Sequence, residues 1–319
     1  MNSNDDKTLV RMERLRAAEY LIYDEQEPRR VLENIWLRIK TGQTWGIYAL
    51  TLYEAALLLK IMANTHPYED GCCVLSERGM MRKKRVILPH VFYIGSTEMM
   101  YDNMTVLEYL MFATAKEKTK PAARQERLFE WLIACGLGDL SLSEIRWLDP
   151  EEKAIVILMG AACSQSSIVV FNLPQLEFGE SLRRAFTAIS SHMREDGKAL
   201  IISTKDESLI QSACTHIAFL ANGRIIFQGT VEGLRAHFDA YTVCIEADDV
   251  SEKRLREAHN EYRIDKKKDG LYISGRKGQT PQDIFREILD KGIVPLTMKI
   301  HQKTVKIALE ELVNRHDLS

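Results

Sequence analysis

The sequence predicts an α/β protein. A mixed, mainly parallel sheet is flanked by helices, carries a helical insertion and is followed by a small second α/β domain. Three observations predict this. The stretch Gly42–Asn64, GQTWGIYALTLYEAALLLKIMAN, reads as strand, short loop and helix. The runs Ile168–Phe171 and Ala199–Ser203 are almost wholly apolar, as strands covered on both faces are, and a helical stretch lies between them. The pair Asn222–Gly223 separates HIAFL from RIIFQG and reads as a two-residue hairpin turn, which gives the sheet an antiparallel edge.

The elements follow in order. Val31–Lys40 alternates at Ile35, Leu37 and Ile39, the pattern of a half-buried strand. A turn at Thr41–Gly42 leads to the strand TWGIYAL, and Ala55, Leu58, Leu59 and Met62 then recur at helical spacing within Glu54–Asn64. After the strand candidate VFYIGS come two helical patterns, Thr105–Ala115 and Pro121–Cys135. The first opens on a Thr105/Glu108 capping box; the second has Pro121 in its first turn and stops at Gly136. Residues 97–147 therefore form a helical insertion. Helices are predicted at Glu151–Cys163, Glu180–Glu195 and Glu207–Cys214. The style shifts near Phe238, so the domains are read as 1–238 and 239–319. The second contains the strand YTVCIEA, a helix at Ser251–His259 and a hairpin at Asp269–Gly270. A helix capped by Thr280–Pro281, the strand IVPLTMKI and a closing helix at Val305–Val313 complete it.

Bulk properties narrow the function. The 319 residues are 45% hydrophobic and 28% charged, which suits a globular chain of one large or two ordinary domains. A net charge of −2 gives no reason to expect nucleic acid as partner, and the short basic run Arg82–Arg85 reads as a solvated loop. No apolar run reaches the ~20 residues needed to cross a bilayer, and the first residues hold no signal-peptide core. The six cysteines form no C-x-x-C pair and are expected to be reduced, structural thiols of a cytoplasmic protein. Eight scattered histidines suggest no metal site.

Motif order and spacing bring these parts together. The chain resembles the ATP-binding-cassette (ABC) ATPase subunits, and more narrowly those of exporters with an extra C-terminal domain. The family's phosphate-binding stretch, G-E-x-x-G-L-x-G-x-N-G-x-G-K-S-T-L-L-K, keeps its frame here at Gly42, Gly46, Leu58, Leu59 and Lys60. Ala49, Leu52 and Glu54 stand at its glycines, Ala55 at the lysine and Ala56 at the magnesium-binding hydroxyl. A phosphate cradle needs glycines for its backbone, a lysine for charge and a hydroxyl for the metal, so each element is altered. Ser96 stands where the family's glutamine loop contacts magnesium, before a matching Thr105, Val106, Glu108 and Leu110. Asp149, Pro150, Glu151 and Glu152 replace the signature S-G-G-Q. Asn172 stands at the magnesium-holding aspartate, Leu173 at the catalytic glutamate and Lys205 at the switch histidine.

The resemblance implies a non-hydrolytic, pseudo-ATPase subunit of an export complex, not itself an enzyme. The alternatives are a soluble regulator or scaffold built on the same fold, and an ATP-binding subunit with a rebuilt site. ATP and magnesium are expected to bind weakly or not at all. A carboxylate about 4 Å from a phosphate charge is unfavourable by roughly 4 kcal/mol at an effective dielectric of ~20. Glu54, at a helix N-terminus, is expected either to fill the phosphate's place or to be an ordinary first-turn acid. Tyr23 is a weak candidate for stacking on adenine, with packing as its alternative. The expected partners are membrane permease subunits, and either a competent ATPase subunit or a second copy, at the inner face of the cell membrane. The permease contact is expected at Ser96, Met99, Met100 and Tyr101, each of which also suits the insertion's own core. The tail beyond 238 is expected to touch a partner cassette.

Overall fold

The computed structural model describes residues 7–21, 29–76, 78–79, 89–237, 241–246, 253, 263–267, 270–274, 280–290, 292, 295, 297–302 and 304–315. It divides into two compact units, Met1–Gly229 and Thr230–Ser319. The division lies upstream of the 238/239 boundary read from the sequence.

The first unit begins with β1 (Thr8–Arg16), β2 (Tyr20–Leu21), β3 (Arg29–Arg30), β4 (Ile35–Lys40) and β5 (Thr44–Ala49). Next come α1 (Leu52–Met62), β6 (Asp70–Leu75), β7 (Arg78–Gly79) and β8 (Val91–Ile94). The insertion contributes α2 (Val106–Ala113) and α3 (Pro121–Ala134). Then follow α4 (Pro150–Cys163), β9 (Ile168–Phe171), α5 (Glu180–Glu195), β10 (Ala199–Ser203), α6 (Glu207–Ala213), β11 (His216–Ala221) and β12 (Arg224–Thr230).

The main sheet has the order β12-β11-β5-β10-β9-β8. From β11 to β8 the pairs are parallel, and Ile202 of β10 lies between Gly46 of β5 and Phe171 of β9. Every residue of β9 and β10 is buried, which is why both read as continuous apolar runs. The Asn222–Gly223 turn has positive φ at both residues and adds β12 as an edge. A smaller sheet, β4-β1-β6-β7, lies in the same unit, with β1 antiparallel to β4 and β6. Its alternation at Ile35, Leu37 and Ile39 points into one core with Val10, Met12, Leu58 and Ile201.

Local sequence explains the helix ends. Thr105 and Glu108 make the predicted capping box on α2, and Pro121 occupies the first turn of α3. Asp149 and Glu152 cap α4 in the same way. Gly46 has no side chain because α6 lies on it: a Cβ there would sit 3.2 Å from Cys214 Sγ and from Ile210 Cγ1. Phe171, Phe178 and Phe186 form a buried aromatic trio that fastens α5 and the loop after β9 to the sheet, with centroids 5.4–6.3 Å apart. All six cysteines are free thiols. Burial pushes the Cys73 and Cys163 thiols up to about 12 and Cys135 up to about 11.

The second unit holds α7 (Val231–His237), β13 (Tyr241–Glu246), β14 (Arg263–Lys267), β15 (Gly270–Ser274), α8 (Pro281–Asp290), β16 (Thr297–Gln302) and α9 (Val305–Arg315). Its sheet, in the order β14-β15-β13-β16, is antiparallel throughout. Val243, Ile245, Leu271, Ile273, Ile284 and Ile288 form its core. Of the apolar face that the sequence suggests at Ile284, Phe285, Ile288 and Leu289, only Ile284 and Ile288 are buried, while Phe285 is half-buried and Leu289 is 40% exposed. The basic run Arg82–Arg85 and, apart from Lys253, the helix expected at Ser251–His259 lie outside the described residues.

Truncating Phe186 to Ala should lower the unfolding free energy of the full chain by about 4 kcal/mol, the usual penalty for emptying an aromatic core site. Urea denaturation followed by tryptophan fluorescence measures it, and a change within 1 kcal/mol would contradict the packing described.

Candidate functional site

The strand–loop–helix at residues 44–62 sits at the carboxyl edge of the parallel strands, where β5 ends and α1 begins. The N-cap Thr51 makes no side-chain cap bond. Glu54, three residues on, is 0% exposed. Its Oε1 accepts from the Gly223 backbone N–H at 3.0 Å and from Arg29 Nη1 at 3.1 Å. Its Oε2 is buried with no hydrogen-bond partner. The carboxylate thus turns away from the N–H groups of its own helix and joins α1 to β3 and to the β11–β12 turn. This corrects the expectation that it fills a phosphate's place on the helix end: its donors come from other elements. Gly223 is required there, since a Cβ would stand 2.9 Å from Arg30 O and φ is +76°.

The other motif positions are similarly built into the fold. Ala49 and Ala55 are buried core residues. The Ala56 carbonyl accepts from Asn172 Nδ2 at 3.1 Å. Asn172 also donates to Tyr93 Oη at 3.1 Å, and its Oδ1 accepts from Ser203 Oγ at 2.8 Å. One buried amide therefore ties α1, β8, β9 and β10 together. Leu173 is buried. Lys205, exposed after β10, donates from Nζ to the Leu50 carbonyl at 2.8 Å, so its charge stands over the loop that enters α1. Next to it, Asp206 caps α6 through Leu209 N–H and pairs with Arg183, which donates to the Phe178 carbonyl.

Asp149 is exposed at the start of α4 and Glu151 is half-buried, while Glu152 is turned back onto the Asp149 N–H at 3.0 Å. Asp149 and Glu152 are thus both engaged in capping α4, and all three acids stay at its first turn. Ser96 Oγ accepts from the Glu98 N–H at 3.0 Å and shapes a turn. Met99 and Tyr101 are 51% and 61% exposed. Met100 is 9% exposed, so of the two methionines only Met99 presents a surface. Tyr23 lies outside the described residues. Arg29, Tyr93 and Ser203 belong to the site but carry no motif signal, and Gly223 is marked by the sequence only as a hairpin turn. Arg29 is remote in sequence from Glu54, and only the strand order brings Gly223 beside it.

With this geometry in view, comparison with known proteins shows the fold. No family model matches the chain. The chain is similar to the methionine import ATP-binding protein MetN 1 of Lactiplantibacillus plantarum, with 21% identity over 213 residues, 65% of this chain and 60% of that protein. It is also similar to the histidine/lysine/arginine/ornithine transport ATP-binding protein HisP of Escherichia coli, with 24% identity over 169 residues, 52% of this chain and 64% of that protein. The chain thus spans less than two thirds of the length of these curated relatives. An ATP-binding subunit of an ABC transporter superposes with a TM-score of 0.56 and 18% identity, over 72% of this chain and 92% of the other. The cbiO1 protein of Clostridium perfringens, part of the cbiONQ transporter complex, gives 0.56 and 14%, over 72% and 95%.

The fold is that of the ATP-binding cassette, a mixed α/β P-loop type, and the sequence relatives are import and transport ATP-binding proteins. Two expectations change. The relatives named are import and transport proteins, which lends no support to the exporter type. The expectation that the chain is not an enzyme is overturned: its relatives are ATP-binding subunits of transport systems, and altered motif residues do not establish a loss of turnover.

Replacing Glu54 with Ala leaves Arg29 and the Gly223 N–H without their shared acceptor. It should destabilise the first unit by about 3 kcal/mol, with Glu54→Gln losing less because one carbonyl oxygen remains. Chemical denaturation of both variants checks this, and equal stability of Glu54→Ala and the unmutated chain would refute the role given to the carboxylate.

Proposed function

We propose that the chain is a cassette subunit of an ABC-type transport complex, peripheral to the membrane, assembled with permease subunits and a second cassette. We further propose that nucleotide binds weakly at its own α1 end. The single observation that carries this reading is the buried Glu54 carboxylate, held by Arg29 and Gly223 at the entrance to α1. The residues there do not fit a magnesium nucleotide. Ala55 and Ala56 supply neither cation nor hydroxyl, and Asn172 is engaged on three sides. A phosphate approaching α1 would meet a carboxylate already paired with Arg29, so Lys205 at the rim adds charge without the lysine and hydroxyl that a phosphate cradle uses.

Two features support the permease partner. The cassette fold is intact although the site is altered, as expected where surfaces do the work. Met99 and Tyr101, beside the Ser96 turn, expose apolar and aromatic area of the kind enriched at interfaces. The transmembrane step is left to other chains: among the described residues no helix is long and apolar enough to cross a membrane.

Equilibrium dialysis of the full chain should give a dissociation constant for Mg-ATP weaker than about 1 mM; micromolar binding would overturn the reading of the site. Tyr101→Ala should weaken co-purification with the membrane subunits by roughly thirtyfold if the ring is a binding anchor. Unchanged recovery would remove that contact.

A further inference from the structure

We propose that the tip of the helical insertion is a docking surface for an anionic phospholipid bilayer. The tip is the turn between α2 and α3, with an aromatic pair beside it. It carries Lys116, Lys118 and Lys120, all exposed. The acid among them is turned aside: Glu117 is half-buried and accepts from Arg127 Nη2 at 2.5 Å and from Thr119 Oγ1 at 3.2 Å. The three lysines stand outside that ion pair, so the turn presents three positive charges and the one acid among them is already paired.

An exposed ring lies near the end of α2, just before this turn. Phe112 is 56% exposed and Tyr101 is 61% exposed, and their rings meet edge to face with centroids 5.8 Å apart. The Phe112 carbonyl accepts from the Ala115 N–H at 3.1 Å, and the Thr114 carbonyl accepts from the Glu117 N–H at 2.9 Å. The chain therefore keeps turning past α2, and Lys116 follows within one turn of Phe112. Phe112 has no polar group to justify its place in water, and two adjacent exposed rings mark a binding face rather than scattered surface.

The combination selects the occupant. Anionic headgroups answer the three lysines, and the headgroup boundary is where aromatic rings are favoured. Either signal alone gives marginal attachment; charge and buried apolar area together give stable binding. Tyr101 belongs to the contact proposed for the permease and here only supports the Phe112 ring; Phe112 and the three lysines are the groups that meet the bilayer. The test of this surface needs only the purified chain, so it stands apart from assembly with other subunits.

The experiment is co-sedimentation of the full chain with phosphatidylcholine vesicles, with and without phosphatidylserine. Binding should be tighter to the vesicles containing phosphatidylserine and should weaken as salt is raised. Each Lys→Gln change at 116, 118 or 120 should weaken binding roughly fivefold, and the triple variant roughly a hundredfold. Phe112→Ser should weaken binding to both kinds of vesicle. All these side chains are exposed, and circular dichroism confirms that the variants fold. Equal binding to the two vesicle types, or a triple variant that binds like the unmutated chain, would overturn the proposal. So would lysine-dependent binding to polyglutamate without binding to vesicles.

Discussion

One buried carboxylate organises the site. Glu54 is out of water at the first turn of α1, and an ion in that position persists only if donors from elsewhere hold it. Arg29 and the Gly223 N–H are those donors, and they come from two segments far apart in the chain. The interaction therefore fixes three elements at once: the start of α1, the short strand β3 and the turn between β11 and β12. Gly223 in turn is held against the Arg30 and Val31 carbonyls so closely that no other residue fits. A contact of this kind contributes less to net stability than to uniqueness, because its partial loss leaves a buried charge without support.

A second hub, Asn172, works by neutral hydrogen bonds. It faces α1 on one side, β8 on another and β10 on the third. A carboxylate at the same place could accept from Ser203 and Tyr93 but could not donate to the Ala56 carbonyl, so the amide suits this packing. Glu54 and Asn172 close the carboxyl edge of the sheet from within. Lys205 adds a bond across the rim, to the loop before α1. These contacts bind the loop and the start of α1 to the sheet and to the β11–β12 turn.

Much of the fold was legible in the sequence because the strongest signals are local. The apolar runs at 168–171 and 199–203, the Asn222–Gly223 turn and the Thr105/Glu108 box depend on neighbours in the chain, and each lies where expected. β1 was not read, since its alternation at Val10 and Met12 is broken by a register shift before Leu15 and sits among charged residues. β6, with Cys72 and Cys73, was missed for want of a β-branched run. At the site, motif spacing located Glu54, Asn172 and Lys205 but not what they touch. Arg29 and Tyr93 are partners only through strand order, and an acid in a first helical turn reads the same whether it caps its own helix or reaches across a sheet. Met100 and Met99 are neighbours of one type, and the structure sends one inward and the other out.

The most direct test of the central claim is amide hydrogen exchange at Gly223, measured on the full chain with and without saturating Mg-ATP. If Glu54 holds that N–H against Arg29 as described, the amide exchanges slowly and nucleotide leaves its rate unchanged. Fast exchange in the free chain, or a rate that shifts when Mg-ATP is added, would show that the carboxylate is released and that the account of this site is wrong.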